Sequence, residues 1–407
     1  MVSTLTLLNS SGEQTWTTYP GETQETVLKN IVRKNQNTLF GREYLFREIS
    51  NVKDYANYVP LSLYRDFKPY MQSMISGKED TLVAEPFSAW MRTITMGGVK
   101  LFPYTDSVAR GIQKAFLRLF GTEGMEWRFF SGKVLAGLEE THADILGGKP
   151  VGSISSLGVE TLRKTPLFKN VFTPSSDTAQ IADCKKRWME TARQVRKQDV
   201  VAAMADPLLF LLFLRKMMRE YREILGISDV AQLWPNFSLL ISDGRIGPYK
   251  TALRSILKNI EFREILCTED IVVAIQIDEK GCIPLYDQNF LEFISLKEWK
   301  NMRKEGGTYR EFEFDCKTVE TVSQGEEYVL VLTTPGGLYR YVTGDVVRII
   351  DDSHITWSGW IDQESHPEQP QEMVLLREVA TDSLKMTMES QVVAVESEPL
   401  RSLFGII

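Results

Sequence analysis

One short segment combines residue types that can hold a phosphate group. The stretch from Arg92 to Tyr104 reads RTITMGGVKLFPY and places a threonine, two glycines and a lysine between β-forming runs. Glycines allow backbone N–H groups to approach a phosphate, and a nearby lysine supplies a point charge for it. Short Gly-Gly-x-Lys strings are common, however, and an ordinary β-hairpin with a solvated lysine fits as well. The segment by itself therefore leaves a phosphate-binding loop and a plain hairpin open.

Two further segments place polar residues beside apolar strands. The string SLLISDGRIG, from Ser238 to Gly247, ends a buried strand in Ser-Asp-Gly, which predicts a glycine turn at the carboxyl edge of a sheet, where α/β proteins bind ligands. In the sequence Cys-Thr-Glu-Asp that begins at Cys267, Thr268 can donate to a phosphate and Glu269 can hold magnesium. Simpler interpretations are a strand-to-helix turn for the first and a helix cap or solvated turn for the second.

A longer string gives a more specific signal. The segment from Gly337 to Ile349, GLYRYVTGDVVRI, predicts that Asp345 follows a Thr-Gly turn between two strands. A carboxylate at such a position can accept hydrogen bonds from two neighbouring hydroxyls, and the ribose of a nucleotide presents such a pair. The alternative is a turn aspartate in an ordinary hairpin.

The elements around these segments predict an α/β protein. Helical spacing of apolar residues recurs from Thr26 to Tyr58, from Asp183 to Arg196 and from Ala205 to Leu225. Apolar strands followed by glycine turns and helices indicate a parallel or mixed sheet covered by helices. The segment EEYVLVLTTPGGLYRYVTGDVVRIID predicts a pair of strands around a Pro-Gly-Gly turn.

Composition excludes several functional classes. The 407 residues carry a net charge of -7, which leaves no basic excess to bind nucleic acid. The longest apolar run is far shorter than the ~20 residues that span a bilayer. Four scattered cysteines and three distant histidines argue against disulfide frameworks, zinc sites and a Ser-His-Asp centre. Since the amino terminus resembles no signal peptide, we expect a reduced, cytoplasmic protein without a membrane or nucleic-acid partner, and a monomer.

The four segments stand in the order found in the Gretchen Hagen acyl-acid amido synthetases, and the text between them also resembles that family. Framework strings such as LFGREYLF, GKPVGSISS and FLEFIS are similar to it, and the resemblance covers roughly residues 25–362. It implies an adenylate-forming fold: a large amino-terminal lobe of mixed sheets covered by helices, over residues 1–361. Residues 362–407 would then be a shortened carboxyl-terminal segment in place of most of the small lobe.

The family uses ATP and Mg²⁺ to convert a small carboxylic acid to an acyl-adenylate, which the amine of an amino acid then attacks. By position, the resemblance implies that Thr95, Gly97 and Lys100 belong to the phosphate loop. Lys100 and Glu269 would have catalytic roles, with Glu269 the metal ligand. The other residues implied in nucleotide binding are Ser242, Gly244, Thr268, Tyr339 and Asp345.

Departures from the family pattern keep other hypotheses open. Apolar or unexpected residues stand at several motif positions, namely Ile94, Met96, Val99, Ile265, Cys267, Val342 and Trp360. Apolar side chains cannot replace hydroxyl donors, and each lost charge-assisted hydrogen bond costs about 1.5–3 kcal/mol. The main hypothesis is an ATP-dependent acid–amino acid ligase. The alternative is a catalytically degenerate family member that acts as a binding or scaffold protein, and a third hypothesis is a truncated or altered gene product.

Overall fold

Three β-sheets, each packed against helices, make up the described part of the protein. The computed structural model describes residues 15–95, 98–121, 130–139, 144–226, 229–243, 246–268 and 271–361. The predicted shortened segment 362–407 lies outside these residues, as do Gly97, Gly244 and Glu269 of the predicted site. The division at residue 361 therefore stays a prediction.

The amino-terminal part is helical, as the spacing of its apolar residues predicts. Its helices are α1 (Thr15–Thr18), α2 (Pro20–Asn35), α3 (Leu39–Glu43), α4 (Val52–Tyr58) and α5 (Tyr64–Ile75), with a short 3-10 helix over Phe46–Glu48. Asn51 caps α4 by accepting a hydrogen bond from the Asp54 backbone. The buried Gln24 side chain fastens α2 to the rest of the molecule, because it bonds the backbone of Tyr286, Asn289 and Leu291.

The first sheet is built around a hairpin. Its strands are β1 (Phe87–Thr95), β2 (Gly98–Thr105), β4 (Asp144–Leu146) and β5 (Lys149–Gly152), in the order β2-β1-β5-β4. Strands β1 and β2 pair antiparallel with Thr95 opposite Gly98, so the glycine-rich segment is a hairpin whose tip, residues 96–97, lies outside the described residues. Helix α6 (Asp106–Phe120) follows directly, capped by Thr105.

The second sheet has seven described strands in the order β11-β10-β9-β8-β7-β3-β6. They are β3 (Lys133–Ala136), β6 (Phe172–Thr173), β7 (Val200–Met204), β8 (Leu239–Ser242), β9 (Glu261–Thr268), β10 (Ile271–Ile275) and β11 (Ile283–Pro284). Strands β6, β3, β7, β8 and β9 run parallel, and β10 and β11 are antiparallel additions. The predicted mixed sheet is thus confirmed.

Helices cover this sheet on both faces. They are α7 (Ile154–Arg163), α8 (Ser176–Ala179), α9 (Cys184–Val195), α10 (Pro207–Arg219), α11 (Arg222–Leu225), α12 (Val230–Leu233) and α13 (Lys250–Leu257), with a 3-10 turn at Gly247–Tyr249. Successive strand residues point to opposite faces. Accordingly, Val134 and Ala202 join one core cluster, whereas Leu135 and Ala203 join another together with α9 and α10.

The third sheet is antiparallel throughout. Its order is β12 (Phe290–Ser295), β13 (Glu327–Thr333), β14 (Tyr341–Ile349) and β15 (Ile355–Trp360), and helix α14 (Leu296–Lys304) packs against it. The predicted strand pair around the Pro-Gly-Gly turn is confirmed as β13 and β14. A buried ion pair links this sheet to the amino-terminal helices. The Arg340 guanidinium lies 3.0 Å from the Glu292 carboxylate of β12. It also donates to the carbonyls of Ala56, in α4, and Val59, just after α4.

Candidate active site

Three carboxylates stand just beyond the carboxyl ends of neighbouring parallel strands. Glu139 follows β3, Asp206 follows β7 and Asp243 follows β8. These strands are adjacent in the sheet, so their carboxyl ends lie along one edge. Ligands of open α/β sheets bind outside that edge. The structure therefore places a polar cluster where the fold class predicts a ligand site.

Two carboxylate oxygens of this cluster have no hydrogen-bond partner among the described residues. Asp206 caps α10 and accepts hydrogen bonds at 2.9 Å from the backbone of Leu208 and Leu209. Asp243 accepts a hydrogen bond from the Ser155 hydroxyl at the start of α7. Its second oxygen, Oδ1, and Oε2 of Glu139 are buried and find no hydrogen-bond partner in the described part of the chain. Buried polar atoms without partners are costly, and they point to a ligand that satisfies them.

Burial and mutual repulsion shift the titration of all three groups. Burial raises the pKa of Glu139 to about 7, with the Asp243 charge acting in the same direction. The pKa of Asp206 rises to about 6 for the same two reasons, and burial raises that of Asp243. Arg92, on the hairpin strand β1, acts in the opposite direction on Glu139. The cluster therefore carries less than its full negative charge near neutral pH.

The adjacent strand β9 brings another polar group to the same edge. Thr268 ends β9 and is 3% exposed, and its Oγ1 has no hydrogen-bond partner among the residues that the structure describes. Ser242, which ends β8, is fully buried. Burial also raises the pKa of Cys267 well above its usual value, with the nearby Asp243 charge contributing. Gly244 and Glu269 follow these strand ends, in the segments outside the described residues.

The hairpin lysine is buried rather than solvated. Lys100 lies in β2 with an exposure of 3%, and its Nζ donates to the hydroxyl of Tyr341 at 3.1 Å. The aromatic rings of Tyr64 and Tyr341 also lie within 6 Å of this ammonium, with centroid distances of 5.7 and 5.9 Å. Lys100 thus connects the hairpin to β14, the strand that contains Asp345.

Asp345 lies inside a strand, which corrects one prediction. The sequence predicts a Thr-Gly turn before it, but Thr343 and Gly344 belong to β14. The reason is that Gly344, with φ +90°, lies in an irregularity of the pairing with β13, between Val342 and Val346, and pairing with β15 continues from Asp345 onward. The Asp345 carboxylate accepts a hydrogen bond from the Trp357 indole at 3.1 Å, and its backbone N–H donates to Thr343 Oγ1 at 3.0 Å.

Tyr339 is fully buried in the core. Its hydroxyl donates to the Leu82 carbonyl at 2.5 Å, and its ring stacks on Phe40 with a centroid distance of 4.6 Å. These contacts give Tyr339 a packing role, and its predicted contact with a nucleotide stays a prediction. Thr95 ends β1 at the hairpin tip.

The hairpin of β1 and β2 has one contact with the strand of Asp345 and a separate electrostatic effect on the carboxylate cluster. Lys100 contacts the strand of Asp345, whereas Arg92 acts electrostatically on Glu139, beside Asp243. Sequence reasoning missed Glu139, Asp206 and Arg92. Each acid follows an apolar strand, a signal present in the sequence. Only the spatial order of the strands, however, places the acids side by side.

Comparison with known proteins identifies the family. Residues 13–225 match the GH3 family N-terminal domain, and residues 282–355 match the GH3 family central domain. This chain belongs to the GH3 family. The predicted Gretchen Hagen resemblance is therefore confirmed.

One GH3 relative comes from rice. It is the jasmonoyl–L-amino acid synthetase GH3.5 of Oryza sativa subsp. japonica, 20% identical over 393 residues that cover 80% of this chain and 67% of the relative. The relative is named for an amino acid conjugation, the reaction class predicted from the resemblance.

Solved structures share the fold of this GH3 chain. AtGH3.15 acyl acid amido synthetase in complex with 2,4-DB superimposes with a TM-score of 0.71 at 17% identity, over 95% of this chain and 76% of that one. An open conformation of 2-hydroxyisobutyryl-CoA ligase, in complex with 2-HIB-AMP and CoA, gives a TM-score of 0.51 at 12% identity, over 82% of this chain and 72% of that one. The adenylate-forming fold is thereby confirmed. No described helix is long and apolar enough to cross a membrane.

Proposed function

We propose that the protein is an ATP-dependent acyl-acid amido synthetase. It activates a small carboxylic acid as an acyl-adenylate and conjugates it to an amino acid. The observation that carries the proposal is membership of the GH3 family over both its N-terminal and central domains, on an adenylate-forming fold. The cluster of Glu139, Asp206 and Asp243 supports it, because two of its buried oxygens have no partner in the described part of the chain and lie where this fold class binds ligands.

The nucleotide site in this proposal lies between β14 and the carboxyl ends of β8 and β9. Asp345 accepts hydrogen bonds from the ribose hydroxyls while Trp357 orients its carboxylate. Ser242 and Thr268 line the other side, and Thr268 Oγ1, which has no partner among the described residues, fits a phosphate or sugar oxygen. Lys100 supplies positive charge near the hairpin tip, held in place by Tyr341.

Mg²⁺, when bound, neutralises charge on the phosphates. We assign its protein ligand to Glu269 by position in the family motif. Among the described residues no group of three or more His, Cys, Asp and Glu is arranged to hold a metal ion. The raised pKa values of Glu139 and Asp206 keep part of the neighbouring cluster protonated near neutral pH, which reduces its repulsion of a triphosphate.

The proposed reaction has two balanced steps. A carboxylate oxygen of the acid attacks the α-phosphorus of ATP, and the bond to the β-phosphate breaks to release pyrophosphate. The amine of the amino acid then attacks the acyl carbon, AMP leaves with the electron pair of the broken bond, and the amine proton passes to solvent. Stabilisation of the charge that develops on the transferring phosphate is usually the largest catalytic contribution.

We further propose that the protein works as a cytoplasmic monomer. Its partners are then the small acid and the amino acid, with no nucleic acid or membrane involved. None of the four cysteines, all of which are described, forms a disulfide, which supports a reducing compartment.

Magnesium-dependent ATP binding, measured by calorimetry, tests the proposal. We expect saturable binding that is weakened about tenfold or more in Asp345→Ala, since one charge-assisted hydrogen bond is worth this much. Asp345→Asn keeps an oxygen that can accept from the Trp357 indole, so a loss of affinity in that variant isolates the carboxylate charge. Asp315→Ala, which removes an exposed carboxylate that pairs with Lys317, serves as the control.

Binding that weakens in the Asp345 variants but not in Asp315→Ala supports the nucleotide site, and pyrophosphate release can then be screened with carboxylic acids. The absence of ATP binding at millimolar concentration would overturn the proposal.

A further inference from the structure

A pocket lies beside β6, the edge strand of the seven-stranded sheet. This edge-strand pocket has a volume of about 440 Å³. That size lies within the range of small-molecule sites. Its lining includes Lys133, Arg163, Lys164, Lys169, Thr173 and Gln198. Lys133 begins β3, whereas Glu139 of the candidate active site lies beyond the other end of that strand, so the two sites occupy opposite ends of β3.

The pocket concentrates positive charge in an acidic protein. Its lining contains four basic side chains and a single carboxylate, Glu160. The whole chain has a net charge of -7, so this is a local reversal of sign. Concave surfaces lined by one sign of charge focus the electric field and attract counter-ions. The pocket therefore favours an anionic ligand.

Two of the cations are held in place and two remain available. Lys133 donates to the Asn170 carbonyl, and Arg163 donates to the carbonyls of Phe172 and Pro174 and pairs with Glu160 at 3.1 Å. Lys164 and Lys169 are exposed and make no ion pair within the described ranges. Lys133 and Arg163 shape the wall, while the two exposed ammonium groups are available to a ligand.

Buried polar atoms without partners also point to a ligand. Thr173 is only 1% exposed, yet it lines the pocket and its Oγ1 has no hydrogen-bond partner among the described residues. The buried Oε1 of Gln198, in the same lining, likewise has none there. A hydroxyl can donate to a phosphate oxygen, whereas an amide oxygen needs a donor such as a ligand hydroxyl. The complementary ligand thus offers both an anionic group and a hydroxyl group.

We propose that the edge-strand pocket binds a small phosphorylated molecule that carries hydroxyl groups. Its phosphate lies against Lys164, Lys169 and the Thr173 hydroxyl, and one of its hydroxyls donates to Gln198. This site is independent of the proposed ATP site, because none of the residues assigned to nucleotide binding lines it.

Calorimetric titration of the full chain with ribose 5-phosphate, and with ribose as the uncharged probe, tests the proposal at low ionic strength. We expect saturable binding of ribose 5-phosphate that is clearly tighter than that of ribose. The double substitution Lys164→Gln with Lys169→Gln should raise its Kd about tenfold or more, because two charge-assisted contacts are lost. Thr173→Val should also raise the Kd without lowering stability, since the removed hydroxyl has no partner in the described part of the chain.

A matched control removes the same charge elsewhere. Lys300 and Lys304 are exposed on α14, away from the pocket lining, and Lys300→Gln with Lys304→Gln should leave the Kd unchanged. Three results would overturn the proposal: no saturable binding at millimolar ribose 5-phosphate, equal binding of ribose, or an affinity that the two pocket variants change no more than the control does.

Discussion

Lys100 and Tyr341, which are 241 positions apart in the sequence, meet in the folded protein with Nζ 3.1 Å from the tyrosine hydroxyl. The contact joins the hairpin of the first sheet to β14 of the third sheet. The ring centroids of Tyr64 and Tyr341 lie 5.7 and 5.9 Å from the same ammonium. The contact therefore links the segments assigned to phosphate and ribose directly.

The Lys100–Tyr341 contact should appear as an energetic coupling. In a double-mutant cycle of Lys100→Met and Tyr341→Phe, measured by urea unfolding, we expect a coupling of about 1–2 kcal/mol, because a buried ammonium loses a hydrogen-bond partner. Tyr104→Phe removes another buried tyrosine hydroxyl, which is bonded to Thr161, and should be additive with Lys100→Met. A coupling of zero for Tyr341 would contradict the structural role given to this contact.

The buried ion pair between Glu292 and Arg340 should be a major contributor to stability. Glu292→Gln leaves the Arg340 guanidinium buried without its counter-charge, and we expect the free energy of unfolding to fall by about 3–5 kcal/mol. The exposed pair of Glu326 and Lys297 is the control, and Glu326→Gln should change little because solvent screens that pair. Equal effects of the two substitutions in chemical denaturation would argue against a buried pair.

The carboxylate cluster should make stability depend on pH. The native pKa of Glu139 is about 7 against an ordinary value of 4.5, so the folded state holds this proton more tightly than the unfolded state does. Its contribution is fully favourable below about pH 4.5 and is lost as the pH rises through about 7. Relative to Glu139→Gln, which cannot titrate, the wild type should lose on the order of 3 kcal/mol across this range.

Unfolding free energies measured from pH 4.5 to pH 8 for the two proteins check this prediction. Glu279→Gln, at an exposed position, should run parallel to the wild type at every pH. A constant difference between wild type and Glu139→Gln would mean that Glu139 has the same proton affinity in the folded and unfolded states.

Alanine substitutions at two glycines with positive φ distinguish the cost of a steric clash from the cost of backbone strain. Gly337 has φ +95°, and an added Cβ would lie 2.9 Å from the Val83 side chain, whereas Gly226 has φ +63° and open space around it. Gly226→Ala should cost about 1 kcal/mol for the left-handed backbone alone. Gly337→Ala should cost about 3 kcal/mol because overpacking adds to the strain. Similar losses on thermal unfolding would show that the core around Gly337 can relax.

Local signals predict much of the fold. The helices around Asn51 and Asp183, the hairpin at the Gly-Gly turn and the strand pair around Pro-Gly-Gly all depend on capping, spacing and turn residues that lie close together in the sequence. The Thr-Gly pair before Asp345 shows the limit of this reasoning. The same dipeptide suits a turn and an irregular strand, and only pairing with β15 decides between them.

The sequence by itself determined the family, the alternation of strands and helices, and the segments in which polar residues follow strands. The tertiary structure alone decided that Glu139, Asp206 and Asp243 share one edge, because that depends on the spatial order of β3, β7 and β8. It likewise decided that Lys100 is buried against Tyr341 instead of solvated. Contacts between residues far apart in the chain follow from how the sheets pack against each other, which no local pattern encodes.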